Sequence, residues 1–158
     1  MAASDHVLTA STRIALPRSE VFAFFADASN LERLTPPELS FQIVTPLPIR
    51  MAAGTVIDYR LRLFVASFAW KTLISRWEPG VLFVDEQLKG PYAKWVHKHS
   101  FHDVKGGTVV HDEVRYRLPL YPAGELALPV VRLQLKRIFG FRARRIVELL
   151  GASADRGW

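Results

Sequence analysis

The chain contains no cysteine, which excludes disulfides and thiolate metal sites. It has no uninterrupted apolar run long enough to span a bilayer. Its first residues, Met1-Ala2-Ala3-Ser4-Asp5-His6, offer no basic region followed by an apolar stretch, so no signal peptide and a cytoplasmic setting are expected. No glycine-rich phosphate loop follows a strand, and Gly106-Gly107 fits a hairpin instead. No Gly-x-Ser-x-Gly elbow occurs. Acids are outnumbered, 15 against 21 Lys and Arg, for a net charge of +6. The imbalance is local: Arg132, Lys136, Arg137, Arg142, Arg144 and Arg145 stand in a stretch without one acid. A basic helix there would suit an anionic membrane or nucleic acid. The simpler reading is the solvated face of an amphipathic helix, so no nucleic-acid partner is expected.

What is present is globular. The 158 residues are 49% hydrophobic, enough for one domain, residues 1–158, with 152–158 as a tail. Val7 to Leu16 reads as a strand, and Pro17 opens a helix over Arg18 to Asp27 with Val21, Phe22, Phe24 and Phe25 as its stripe. Ser29 to Glu32 matches a capping box for a second short helix. Leu39, Phe41 and Ile43 alternate as a strand, which Pro46 and Pro48 push to an edge or loop. Four more strands follow at hairpin spacing: Thr55 to Leu63, Ser67 to Trp77, Phe83 to Leu88 and Tyr92 to about Val104. Thr108 to Leu118 is the last. A long helix, about Glu125 to Leu150, carries Val131, Leu135, Ile138, Phe139, Ile146 and Leu149 on one face. Pro129 is its true start or a kink near it. Consecutive strands with short turns predict an α+β fold: a curved antiparallel sheet of about seven strands around the C-terminal helix, with two short helices after the first strand.

The stretch Tyr92–Phe101 is the most informative. Side chains alternate along a strand, so Trp95, His97, His99 and Phe101 share the inward face, while Lys94, Lys98 and Ser100 meet water. Two imidazoles in an apolar interior need partners. The same parity turns Asp85, Gln87, Asp112, Tyr59 and Tyr116 inward. His102 and His111 fall on the outer face.

Several residue series resemble the START-like, or SRPBCC, superfamily, the helix-grip fold of the birch pollen allergen, lipid-transfer START domains and polyketide cyclases. They are Leu16-Pro17-Arg18-Ser19-Glu20-Val21-Phe22, Asn30-Leu31-Glu32-Arg33-Leu34-Thr35-Pro36, Trp77-Glu78-Pro79, Phe83-Val84-Asp85-Glu86-Gln87, Gly90-Pro91, and Trp95-x-His97-x-His99-x-Phe101. Their order resembles a bacterial cyclase/dehydrase-like, ligand-binding subgroup. The resemblance implies a hydrophobic cavity between sheet and helix but no particular chemistry.

Four readings of the inward cluster stand open. It is a satisfied network, with carboxylates holding imidazoles. It orients a ligand's carbonyl or hydroxyl through His97, His99 and Gln87 in a pocket walled by Trp70, Trp95, Leu135 and Phe139, with Tyr59, Leu61, Asp85, Asp112 and Tyr116 around it. It performs acid–base catalysis through His97 or His99 with Asp85 or Asp112, as a polyketide cyclase or dehydratase would. It binds metal, but two histidines two apart on a strand argue against that here, and neither metal nor cofactor is expected. The preferred function is binding of a small hydrophobic molecule of lipid, polyketide or aromatic type. The cyclase and the anionic-surface binder are the alternatives.

Overall fold

The computed structural model describes residues 4–150 and the backbone of Arg156–Gly157. Strand β1 (His6–Ile14) leads into helix α1 (Arg18–Ala26) and the single-turn helix α2 (Asn30–Arg33). Six strands follow: β2 (Gln42–Ile43), β3 (Val56–Leu63), β4 (Ala66–Glu78), β5 (Leu82–Lys89), β6 (Lys94–Val104) and β7 (Gly107–Arg117). Helix α3 (Leu128–Leu150) comes next, and β8 (Arg156–Gly157) pairs with β1. The sheet runs β2-β3-β4-β5-β6-β7-β1-β8, antiparallel at every step. This is the expected sheet of seven strands, with a two-residue strand added from the stretch expected to be a tail. The rest of that stretch lies outside the described residues.

Alternation along the strands selects the inner face as predicted. Ile57 and Leu61 of β3, Trp70, Thr72 and Ile74 of β4, and Thr108, Val110, Asp112, Val114 and Tyr116 of β7 are buried. One departure is Ser100, which is buried rather than wet and donates to the His111 carbonyl at 3.3 Å.

The first helix forms as its sequence requires. Pro17, at φ −57°, is pre-set for a helix start, and its carbonyl accepts from Glu20 and Val21. Val21, Phe22 and Phe25 are buried, packed with Phe83, Phe101 and Ile146. Burying each such side chain contributes about 1.5–3 kcal/mol. Asn30 is buried because its amide donates to the Phe24 carbonyl at 2.9 Å, satisfying an end of α1.

Three expectations are corrected. The capping box does not form: Ser29 is itself helical in backbone and its hydroxyl donates to Asp27 Oδ1. Glu32 instead accepts from the Ile43 amide, tying α2 to the edge strand. The strand expected from Leu39 is reduced to Gln42–Ile43, because Pro37–Leu39 form a 3-10 turn. The long helix begins at Leu128 rather than Glu125, with a 3-10 turn over Ala123–Ala127 before it. Pro129 therefore sits in the first turn, where its missing N–H leaves no bond unmade. None of the described helices is long and apolar enough to cross a membrane.

Candidate functional site

Sheet register assembles the polar cluster. Asp85 on β5 lies opposite His97 on β6, and His99 lies opposite Asp112 on β7. The hydrogen bonds run along the diagonals. His97 Nε2 lies 2.8 Å from Asp112 Oδ1, and His99 Nε2 lies 2.7 Å from Asp85 Oδ2. The imidazole centroids are 3.7 Å apart with the rings tilted by 34°, and Phe83 stacks on His99 at 4.2 Å. Phe139 of α3 meets the His97 ring edge-on at 5.4 Å.

His99 Nδ1 is buried 2.9 Å from Asp112 Oδ1, but off the line needed for a hydrogen bond. The ring thus stands between two carboxylates, with Nε2 on Asp85 and Nδ1 facing Asp112. Burial pulls its pKa down, but contacts with Asp112 and Asp85 more than reverse this and raise it. His97 has only one such bond; its Nδ1 is 3.8 Å from Asp85. Burial, and then repulsion from His99, hold its pKa below the ordinary value. Burial pushes both carboxyls up, yet the histidines overcome it: Asp85 ends lowered and Asp112 well below the usual range.

Beside the cluster the sheet and α3 leave space. A cleft of about 140 Å³ is walled by Tyr59, Leu61, Trp70, Trp95, Leu135 and Phe139, together with Leu39, Tyr92 and Ile138. A smaller compartment of about 70 Å³ is lined by Phe83, Thr72, Asp85 and His99. Leu31, Tyr59 and Arg142 line both. The Tyr59 hydroxyl is 2.7 Å from Thr72 Oγ1, and burial raises its pKa.

Six of the expected pocket residues therefore gather on the larger cleft, and Asp85 and His99 on the smaller. His97, Asp112 and Tyr116 are buried behind them. Gln87 is engaged locally: its amide donates to the Tyr92 carbonyl at 2.7 Å and accepts from the Tyr92 N–H at 3.3 Å, pinning the β5–β6 turn. Asp85, His97 and His99 offer donor atoms within 4.8 Å of one another, close enough to share an ion. The short contacts already engage His99 Nε2 and His97 Nε2.

Arg142 is the residue that the sequence reading misplaced. Counted among the solvated basic side chains, it instead turns inward over the Phe25 ring, and its charge helps hold Asp85 ionised. Its spacing carried the signal. It lies three residues after Phe139 and four before Ile146, on the apolar stripe.

No family model and no curated protein matches the chain. Solved structures do. The Zhui aromatase/cyclase from Streptomyces sp. R1128 superposes with a TM-score of 0.75 at 11% identity, over 93% of this chain and 94% of that one. Norcoclaurine synthase from Thalictrum flavum gives 0.67 at 14% identity, over 94% and 87%. The chain has the START/Bet v 1-like helix-grip fold. A Corynebacterium glutamicum protein described as a nucleoside-diphosphate sugar epimerase contains the same helix-grip fold, at 26% identity and a TM-score of 0.67 over 89% of this chain. This chain spans only 28% of that protein's length.

Proposed function

We propose that this chain binds a small hydrophobic molecule in the cleft between the sheet and α3. The observation that carries this reading is the cleft itself: about 140 Å³ with aromatic and aliphatic walls, bordered by a few buried polar groups, which is how small-molecule sites are built. An engineered core cavity of about 150 Å³ takes benzene. A cleft of that size favours a ligand of about one ring. A longer lipid or polyketide requires Leu31, Tyr59 and Arg142 to move aside and join the two compartments. We read residues 1–158 as one ligand-binding domain working in the cytoplasm.

A second reading has its own support. Asp85 and His99 form a hydrogen-bonded pair on the wall of the smaller compartment, where a proton could pass to a bound carbonyl. A cyclase or dehydratase would use that pair, with Asp112 and His97 as its support. The reading of an anionic-surface binder is weakened, since Arg142 turns inward and Arg137 and Arg145 are paired with Glu38 and Glu148.

The test is titration with a neutral fluorescent probe, alongside native mass spectrometry of protein from its own host. Wild type should bind one equivalent, and Ile138→Trp, which fills the cleft from α3, should lose it while melting within a few degrees of wild type. A wild type that binds neither probe nor native small molecule sinks the proposal.

A further inference from the structure

One end of the molecule carries apolar side chains that the core does not use. The β3–β4 turn, the β5–β6 turn, the β7–α3 connection and the first turns of α3 meet there around a groove of about 380 Å³. Leu63, Phe64, Phe68, Leu118, Leu120 and Val131 are among its lining residues. A second groove of about 310 Å³, between Phe64 and the α3 residues Val130 and Leu133, adjoins it. Apolar tips stand around both: Val65 is 98% exposed, Leu126 86% and Leu120 82%. Single exposed apolar residues are ordinary, whereas a contiguous patch of them marks an interaction surface.

Turn chemistry does not account for these residues. Phe64 and Leu120 have φ +56° and +59°, where glycine or asparagine costs less. A large apolar side chain at such a position, exposed to water, serves neither the turn nor the core. Outliers of this kind concentrate where a surface has work to do.

Charge identifies what covers the patch. Glu125 is the only acid in residues 62–68, 88–92 and 117–137, and it is paired with His6. Glu38, beside the second groove, is paired with Arg137. Arg62, Lys89, Arg132 and Lys136 are exposed and have no carboxylate partner among the described residues. A second copy of this chain would set those cations against their own counterparts. A surface with an apolar interior and anionic headgroups matches both parts.

We infer that this end of the molecule docks on an anionic lipid surface. Phe64, Val65, Leu120 and Leu126 enter the acyl boundary, and Arg62, Lys89, Arg132 and Lys136 meet the headgroups. The contact is peripheral. Unlike a purely basic helix face, this surface leads with apolar tips and only rims them with cations. Leu63 and Tyr92 line both the outer groove and the inner cleft, which sets the docking surface at the edge of the cleft. Docking does not require the cleft to be a binding site, so vesicle binding without added ligand tests the two readings separately.

The experiment is cosedimentation with vesicles of phosphatidylcholine alone and of phosphatidylcholine with about 30% phosphatidylserine. Wild type should bind the anionic vesicles at least about tenfold more tightly, and about 0.5 M salt should weaken that binding. Phe64→Ser with Val65→Ser should weaken it about tenfold or more, and Arg62→Gln with Lys89→Gln about tenfold. Val81→Ser, which changes an exposed valine of the β4–β5 turn at the opposite end, should change it less than about twofold. No vesicle binding by wild type, equal binding to neutral and anionic vesicles, or no loss in the paired serine variant overturns the inference. So does a wild type that sedimentation velocity finds dimeric and the paired serine variant monomeric, which would assign the patch to a second copy. Should that variant not fold, a label decides. The chain has no cysteine, so Val65→Cys and Val81→Cys each accept one polarity-sensitive dye. Anionic vesicles must blue-shift the dye at position 65 and not the one at 81; equal shifts, or none, overturn the inference.

Discussion

The guanidinium of Arg142 lies 5.4 Å from the centre of the Phe25 ring. A cation over an aromatic face contributes about 0.5–1 kcal/mol where water still reaches it. The same charge holds the Asp85 carboxyl down. Arg142→Met should therefore cost about 1 kcal/mol in urea unfolding, and carbon-detected NMR titration should find the Asp85 pKa higher than in wild type. An unchanged Asp85 titration would mean that the guanidinium does not sense the cluster.

The cluster also sets a dependence on pH. Asp85 and Asp112 have folded pKa values below the ordinary carboxylate value of about 3.9. Their contribution is complete above that value and is lost as pH falls through the folded values. His99 is raised, so its contribution is complete below about 6.5 and is lost as pH rises through its folded value. His97 is lowered and acts oppositely, contributing above about 6.5 and losing that as pH falls. The two histidines thus act on opposite sides of about pH 6.5, and below about pH 4 the carboxylates decide. Asp112→Asn should cost about 3 kcal/mol or more at pH 7, because it strips a buried charge of its partner. Urea unfolding from pH 3 to 8 should also show a shallower acid slope than wild type. Parallel slopes would remove Asp112 as the dominant acid-titrating group.

Gly106 and Gly107 make different demands on the β6–β7 hairpin. Gly106 has φ +81°, in the region that glycine occupies freely. Gly107 is limited by space, since a Cβ there would stand 2.1 Å from the Ile14 carbonyl oxygen. That neighbour is backbone and can move only by parting β1 from β7. Gly107→Ala should cost about 1–3 kcal/mol. Gly90→Ala meets only the flexible Gln87 side chain and should cost less, about one hydrogen bond. Thermal melts of the two variants rank them, and the reverse order would refute the packing argument.

The sheet was legible because strand parity depends on little beyond alternation. Thr108 to Tyr116 and Phe68 to Ile74 turn the expected faces inward, and the pairing of Asp85 and Asp112 with His97 and His99 follows from that parity with short hairpins. The errors lie where local chemistry has equal alternatives. Ser29 has Asp27 within reach as well as its own helix. Leu39 has the right parity for a strand, but Pro36 and Pro37 set a tight turn before it. Gln87 has inward parity, yet the Tyr92 backbone claims its amide through two hydrogen bonds. Arg142 was misread because charge was given more weight than position, and position on α3 was the better guide.

The pairing of β1 with β7, His6 against Tyr116 and Ile14 against Thr108, has a consequence in time. Strands β3 to β7 each join a neighbour made just before them and can zip in sequence. The first strand cannot. It must wait, with both edges unpaired, until a partner roughly a hundred residues later exists, and contacts of such separation are the slow ones in folding. A chain made from its amino end therefore carries its first strand through synthesis as a loose ribbon. That ribbon finds its place beside β7 only after β7 has been made, and β8 then pairs with Ser11 and Thr12 on its other edge.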